Sequence, residues 1–518
     1  MPSILVSAVW IPVFAGMTAT PSTPCFPQPV PRFRAFVESR LRRRPACRIV
    51  QSPGAAADNN DDTMKNALKL TVLAAALAAG AFVTMPASFA RPQDTGNAVA
   101  TEQRAITAFN SIELAGPYHV VIDAQAKPSL ELSGERKQLA EIETVVRGDT
   151  LVVRPVQRNG FFFNFGKRRE TVTVRIGASA LKRLTVAGSG DVEIDRIDAE
   201  RFTLAGNGPG DVHASGTVRQ LTVTSSGSGD LALRRLKASD VDLALNGPGD
   251  VELADVSGTL SVQAGGSGDL EAEGLRASKV TARMRGPGNV QLSGSARELD
   301  LEMSGSGDFE GCDLRIDGGA RSVQRGPGNA CLAGAIRKFD GEVDGSGELA
   351  VRGLQAGTAQ LRMNGPGNVA LAGTVGDLNV ELAGSGDLDA AGLKTGKATV
   401  RGRGPGGVTL ANVGDTLDAA LSGSGGLKAS MSGKRLLLRM NGPGDARIDG
   451  RVAQVDAQIA GSGSLDGHGL TAAHADIVVH GPGTASVNVV SQPDRADTKT
   501  VARGQLLLVD RSGSHTTR

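Results

Sequence analysis

Val280-Thr281-Ala282-Arg283-Met284-Arg285-Gly286-Pro287-Gly288-Asn289-Val290-Gln291-Leu292 decides how the rest of the chain is read. Val280, Ala282 and Met284 alternate with Thr281, Arg283 and Arg285, and after a glycine turn Val290 and Leu292 flank Gln291. Farther on, Leu299, Leu301 and Met303 alternate with Asp300 and Glu302. A period of two means strands with one face turned inward. The turn belongs to a series of sixteen Gly-X-Gly motifs. They start at Gly188, Gly208, Gly227, Gly247, Gly266, Gly286, Gly305 and Gly326, then at Gly345, Gly365, Gly384, Gly404, Gly423, Gly442, Gly461 and Gly481. No interval falls outside 19 to 21 residues. Units that short cannot bury an apolar face alone and must stack on their neighbours. The expectation is an all-β parallel β-helix, a solenoid of about 20 residues per coil with Gly-Ser-Gly or Gly-Pro-Gly corners.

The corner residues suggest their own chemistry. Proline presets φ at the second turn position, and glycine at the third suits the positive φ of a type II turn. The fourth position is usually Asp or Asn, whose short side chain reaches nearby backbone N–H groups and closes the corner. The middle residue alternates strictly between Ser and Pro, so the duplicated unit spans about 39 residues. One motif per circuit is preferred over two, because a 39-residue circuit would enclose more space than these small side chains fill.

Outside the array the chain changes character. Residues 1–63 are Pro- and Arg-rich and hold the only Trp, Trp10; they read as a mis-assigned start or a disordered extension. Met64 to Ala90 has a positive n-region with Lys65 and Lys69, an apolar h-region from Leu70, and a small-residue cleavage site at Ser88-Phe89-Ala90. That is the pattern of a secretory signal peptide, with an apolar run too short to span a membrane. Residues 91–104 read as a disordered linker and 105–187 as an N-terminal cap with irregular first coils. Strands are expected near Tyr118–Ala124, Leu151–Pro155 and Thr171–Ile176. The regular repeats occupy 188–490, and 491–518 hold a cap strand at Gln505–Val509 and a tail. Caps are required because the end coils of a solenoid otherwise expose open edges.

Without residues 1–90, which carry nine Lys+Arg and four Asp+Glu, the formal charge moves from +2 to about −3. The basic balance thus belongs to the leader, and nucleic acid drops out as a partner. Of four cysteines only Cys312 and Cys331 remain, one repeat apart. Export would place them in an oxidising compartment. Their offsets within the repeat differ by two residues, which leaves open both a disulfide and a pair of buried thiols.

Phe109-Asn110-Ser111-Ile112-Glu113-Leu114-Ala115-Gly116-Pro117-Tyr118, followed by recurrent Gly-Ser-Gly-Asp-Val/Leu units, resembles the auto-transporter adhesin head GIN domain family over roughly residues 105–490. The resemblance implies a bacterial, exported, right-handed parallel β-helix of undetermined biochemical role, with no catalytic residues to carry over. About 30 residues follow the repeats, too few for a translocating outer-membrane barrel.

Four groups of residues are candidate sites. Asp191, Asp211, Asp230, Asp250 and Asp269 share the fourth motif position and would stack about 5 Å apart, repelling by roughly 0.8 kcal/mol in water. Calcium would relieve that, yet later coils place Asn329, Glu348, Asn368, Gly407, Gly426, Ser464 and Thr484 there, so turn-capping is the preferred role. His468, His474 and His480 cluster near the C-terminal coils without a dependable third ligand for zinc. Gly-X-Gly repeated sixteen times is a corner and not a phosphate loop. Phe161, Phe162, Phe163 and Phe165 beside Lys167-Arg168-Arg169 suit either a cover over the first coil or a loop that inserts into a partner. No catalytic, metal or cofactor residues are assigned, and no cofactor is called for. A polysaccharide lyase or hydrolase would need several coils to break pattern together, and none does. What remains is an exported, non-enzymatic scaffold in the periplasm or at the cell surface, with a cell-envelope component, a surface protein or a polysaccharide as partner.

Overall fold

The computed structural model describes residues 99–156 and 171–490, and the backbone of 501–502, 506–510 and 513–517. The expected leader, the signal peptide and the phenylalanine loop lie outside the described residues. Residues 188–490 form a parallel β-solenoid of about 15 turns with roughly 20 residues per coil. Leu270 pairs with Val290, and Val290 with Phe309, so each winding holds one glycine motif. The 39-residue Ser/Pro alternation is therefore two windings.

One winding shows the cause of the fold. In Leu270–Met284 the side chains of Leu270, Ala272, Leu275, Ala277, Val280, Ala282 and Met284 point inward and are buried. Glu271, Arg276, Thr281 and Arg283 lie outside that core. The inward phase slips twice, after Ala272 and after Ala277, and at the first slip the register to the next coil also shifts. Such a bulge turns the strand without ending it. The strands consequently run on for 14 to 16 residues in most coils, longer than the three-to-six-residue pieces their patterning suggests.

The glycine corners work differently from the expected type II turn. Gly288 is not among the residues with positive φ. A Cβ there would instead collide with the carbonyl oxygen of Gly268, one coil below. Close approach of stacked backbones, not handedness, excludes side chains at this position. The left-handed conformation appears at the opposite bend, for instance at Gly294, with φ 117°.

Both ends of the stack switch from parallel to antiparallel. The strand Ser111–Leu114 and Gly116-Pro117-Tyr118 form an early winding, since Arg183–Val186 and Val192–Gly206 stack directly on it. Beneath lie Thr150–Pro155 and Thr173–Gly177, which pair antiparallel with Ile142–Arg147 and Ser129–Glu135. Val99–Gln103 adds a last antiparallel strand, so part of the segment read as linker is structured. Arg104 fastens it by donating to the carbonyls of Leu139 at 2.8 Å and Ile142 at 2.7 Å. At the far end, Leu506–Asp510 pairs in parallel with Thr484–Val489 and antiparallel with Gly513–Thr517. Reversal of direction ends the repeating template that an open parallel edge would offer.

Candidate functional site

The fourth motif position builds a ladder. The Oδ1 of Asp211 accepts from the backbone N–H of Asp230 at 2.9 Å, that of Asp230 from Asp250 at 2.9 Å, and that of Asp250 from Asp269 at 2.8 Å. It continues through Asp269 to Asn289 at 2.7 Å, Asn289 to Asp308 at 2.9 Å, and Asp308 to Asn329 at 2.8 Å. Each side chain thus serves the next coil rather than closing its own corner, as the sequence had suggested. The bond needs only an oxygen acceptor, which is why Asp and Asn interchange freely. Glu348, Gly407 and Gly426 interrupt the series without breaking the stack. Among the described residues no group of three or more His, Cys, Asp or Glu is placed to hold a metal ion.

The three histidines separate. His468 Nδ1 lies 2.8 Å from Asp466 and 3.1 Å from Ser486. That contact, with a backbone N–H, holds the Asp466 carboxyl below its usual range. His474 sits on a different face, level with Gln454, and His480 donates its backbone N–H to Ile459 at the next corner. The only Tyr, Tyr118, is buried in the N-terminal winding. Burial first, and the charge of Glu141 second, push its hydroxyl up to about 12.

Cys312 and Cys331 are joined. Their Cα atoms are 5.2 Å apart, inside the usual window of about 4.4–6.8 Å. The two-residue offset left open in the sequence makes the bridge diagonal, because Cys331 is level with Glu310 rather than with Cys312.

On the face carrying Arg283 and Glu302, charges run along the stack. Glu302 contacts Arg283 at 3.7 Å and Arg325 at 2.8 Å, and Arg325 reaches Glu342 at 3.7 Å. Arg401 and Arg439 share Asp418 at 3.0 and 3.7 Å. Exposed pairs of this kind contribute about 0–1 kcal/mol each. Large exposed hydrophobics among the described residues are Val99, Val156 and Val490, all at segment ends, so the walls are polar.

One concavity was missed by sequence reasoning. A shallow groove of about 710 Å³ follows the second bend across the coils from Thr374 to Thr471. It exists because Gly396 and Gly414 leave the bend bare at a level where an earlier coil carries Arg297. The signal was present in the series Gly357, Gly376, Gly396, Gly414 and Gly433, a second glycine period overshadowed by the corner motifs.

The family model described as "Putative auto-transporter adhesin, head GIN domain" matches residues 108–270, 254–330, 328–430 and 414–505. The chain belongs to this family. The head GIN domain therefore accounts for nearly all the described structure, as the motif around Phe109–Tyr118 suggested. Similar crystal structures include a "Putative lipid binding protein" from Parabacteroides distasonis, 18% identical, covering 57% of this chain and 97% of that one, with a TM-score of 0.30. A "putative adhesin" from Bacteroides fragilis is 18% identical over 56% of this chain and 96% of that one, with a TM-score of 0.21. Another "putative adhesin", from Parabacteroides merdae, is 12% identical over 64% and 97%, with a TM-score of 0.22. Identities and scores this low say nothing about a ligand. No curated protein matches the chain.

Proposed function

We propose that this head GIN domain protein is an exported, non-enzymatic scaffold of the cell envelope with an adhesin-like role. The observation that carries the reading is the unbroken stack. Fifteen successive motif intervals pass without a coil breaking pattern to assemble a reacting centre. Family membership and the signal-peptide pattern of Met64 to Ala90 support export, to the periplasm or the surface. The groove favours binding over hydrolysis of a polysaccharide, since its lining holds no Asp or Glu to serve as the paired carboxylates of a glycosidase. No helix among the described residues is long and apolar enough to cross a membrane.

Fractionation of the native host tests the reading. The mature protein should appear outside the cytoplasm, begin at Arg91 by N-terminal mass spectrometry, and its deletion should lower surface attachment or envelope integrity. A full-length chain confined to the cytoplasm, or unchanged attachment and integrity in the deletion strain, would overturn it.

A further inference from the structure

The second-bend groove is lined by hydroxyl and amide side chains with two cations. Its lining contains the hydroxyl or amide groups of Thr374, Asn412, Ser430, Ser432 and Thr471. It contains two cations, Lys394 and Arg451, and no acid. Elsewhere acids outnumber bases slightly once the leader is set aside, and the arginines of the adjacent face are paired. Arg401 has Asp418 at 3.0 Å and Arg435 has Asp456 at 2.8 Å. Among the described residues, Lys394 and Arg451 have no ion pair. Both are exposed.

The strand register sets these groups in two neighbouring rows that run along the axis. Thr374 is beside Lys394 and Lys394 beside Asn412, while Ser432 is beside Arg451 and Arg451 beside Thr471. Three coil steps separate the two cations, or roughly 14 Å at the usual strand spacing. Val375, Val413 and Met431 form an apolar floor at the bare bend. The site is thus a long, open track with hydrogen-bonding groups on successive coils and one positive charge toward each end.

We propose that this groove binds an acidic polysaccharide strand lying along the solenoid axis. The proposal rests on the envelope-scaffold reading and names a ligand class for it. Hydroxyl-rich sugars match the Thr, Ser and Asn side chains, which both donate and accept hydrogen bonds. Negative groups on the polymer match the two unpaired cations, which need break no existing ion pair to engage them. A neutral glycan is the poorer match, because such ligands are usually held by aromatic stacking. Trp10 lies in the leader and Tyr118 is buried at the far end of the chain, so the groove has no such platform. Shallowness is suited to an extended chain that enters sideways rather than to a compact small molecule.

The test uses the full mature chain and oligomers of polygalacturonate, with dextran as the neutral arm and anionic phospholipid vesicles as the other anionic arm. Polygalacturonate should bind, dextran should not, and affinity should fall as salt rises. The double variant K394A/R451A should weaken binding about tenfold, the loss expected when both charges steering the ligand are gone. The control K279A/K428A removes two cations outside the groove and should leave affinity unchanged; circular dichroism checks that both variants fold. Equal loss in both variants would reveal a general affinity for polyanions and overturn the site. So would binding to vesicles but not to polygalacturonate, or no difference between polygalacturonate and dextran. Failure here leaves the export result standing, because fractionation reads location and not ligand.

Discussion

Two coils, one after the fifth motif and one after the seventh, illustrate how the same repeat can be well or badly filled. In Leu270–Met284 every inward side chain is apolar. Two coils later, in Phe309–Gln324, the inward positions include Ser322 and Gln324, both fully buried. The Ser322 hydroxyl and the Gln324 carbonyl oxygen have no hydrogen-bond partner, and the Gln324 amide reaches only the Met303 sulfur at 3.9 Å. This coil also loses register to the next between Gly311 and Gly319, with Arg315 opposite Ala333 as the sole paired position in that stretch. Buried polar atoms without partners cost about 1–3 kcal/mol each. The disulfide Cys312–Cys331 joins this coil to the one above it. A covalent tie thus sits where this coil is irregular and carries unpaired buried polar atoms.

Removing the tie should have the largest effect. Closing a loop with 19 residues of separation stabilises by about 3 kcal/mol on the chain-entropy account. In C312S/C331S, hydrogen exchange should accelerate within 309–343 and remain slow in 251–303. Uniform acceleration along the stack would show that the weak coil is not a separate opening unit.

Glycine sharpens the same contrast. Gly288→Ala in the regular corner should destabilise by about 1–3 kcal/mol, as overpacking does. Gly319→Ala in the weak coil should be neutral or slightly stabilising, since nothing lies within 4 Å of a Cβ there and its φ is not positive. Thermal melts of the two variants compare them directly. Similar destabilisation in both would refute the close-approach account of the corners.

The two coils also mark how far the sequence could be read. Strand alternation around Met284 and the spacing of Gly286 specified one winding per motif, because both depend on local pattern. The reason for Gly288 was misread, since the atom it must avoid belongs to Gly268, and distance between windings has no local signature. The same limit hid the Asp ladder's true partners, one coil away, and the diagonal reach of Cys312 to Cys331. The groove escaped notice because Gly396 and Gly414 belong to a second glycine period that the corner motifs overshadow.

Gln324→Met should raise stability by about 1 kcal/mol, because it replaces an unpaired amide by an apolar group of similar length beside Met303. The gain should persist in C312S/C331S, where it would partly restore slow exchange. An equal change from Met284→Gln in the regular coil, with opposite sign, would complete the comparison. A smaller loss is expected from Asp250→Ala, about 0.5–1.5 kcal/mol, since it removes the acceptor for the Asp269 N–H. Asp250→Asn should retain the wild-type melting temperature, because Asn289 already makes the same bond to Asp308 at 2.9 Å.

The smallest effect concerns charge at the second bend. In the regular coil Arg276 reaches across to Asp255 of the coil below, at 3.5 Å. In the weak coil Arg315 turns back on its own strand, donating to Asp317 through Nε at 2.9 Å and Nη2 at 3.1 Å. Those bonds, with smaller help from the charges of Arg315 and Arg337, hold the Asp317 carboxyl below its ordinary value of 3.8. A carboxyl lowered on folding adds stability above its unfolded pKa and loses it as the pH falls through the folded one. Arg315→Ala should therefore move the Asp317 titration, followed by carboxyl carbon NMR shifts, back up toward that ordinary value. Because the pair lies within one coil, hydrogen exchange between coils at neutral pH should not change. Arg276→Ala, by contrast, should speed exchange near Asp255, because there the same type of bond crosses from one winding to the next. If Arg315→Ala also loosened the junction with the coil above, the bend would be stitching coils after all, and the weakness of this coil would need another cause.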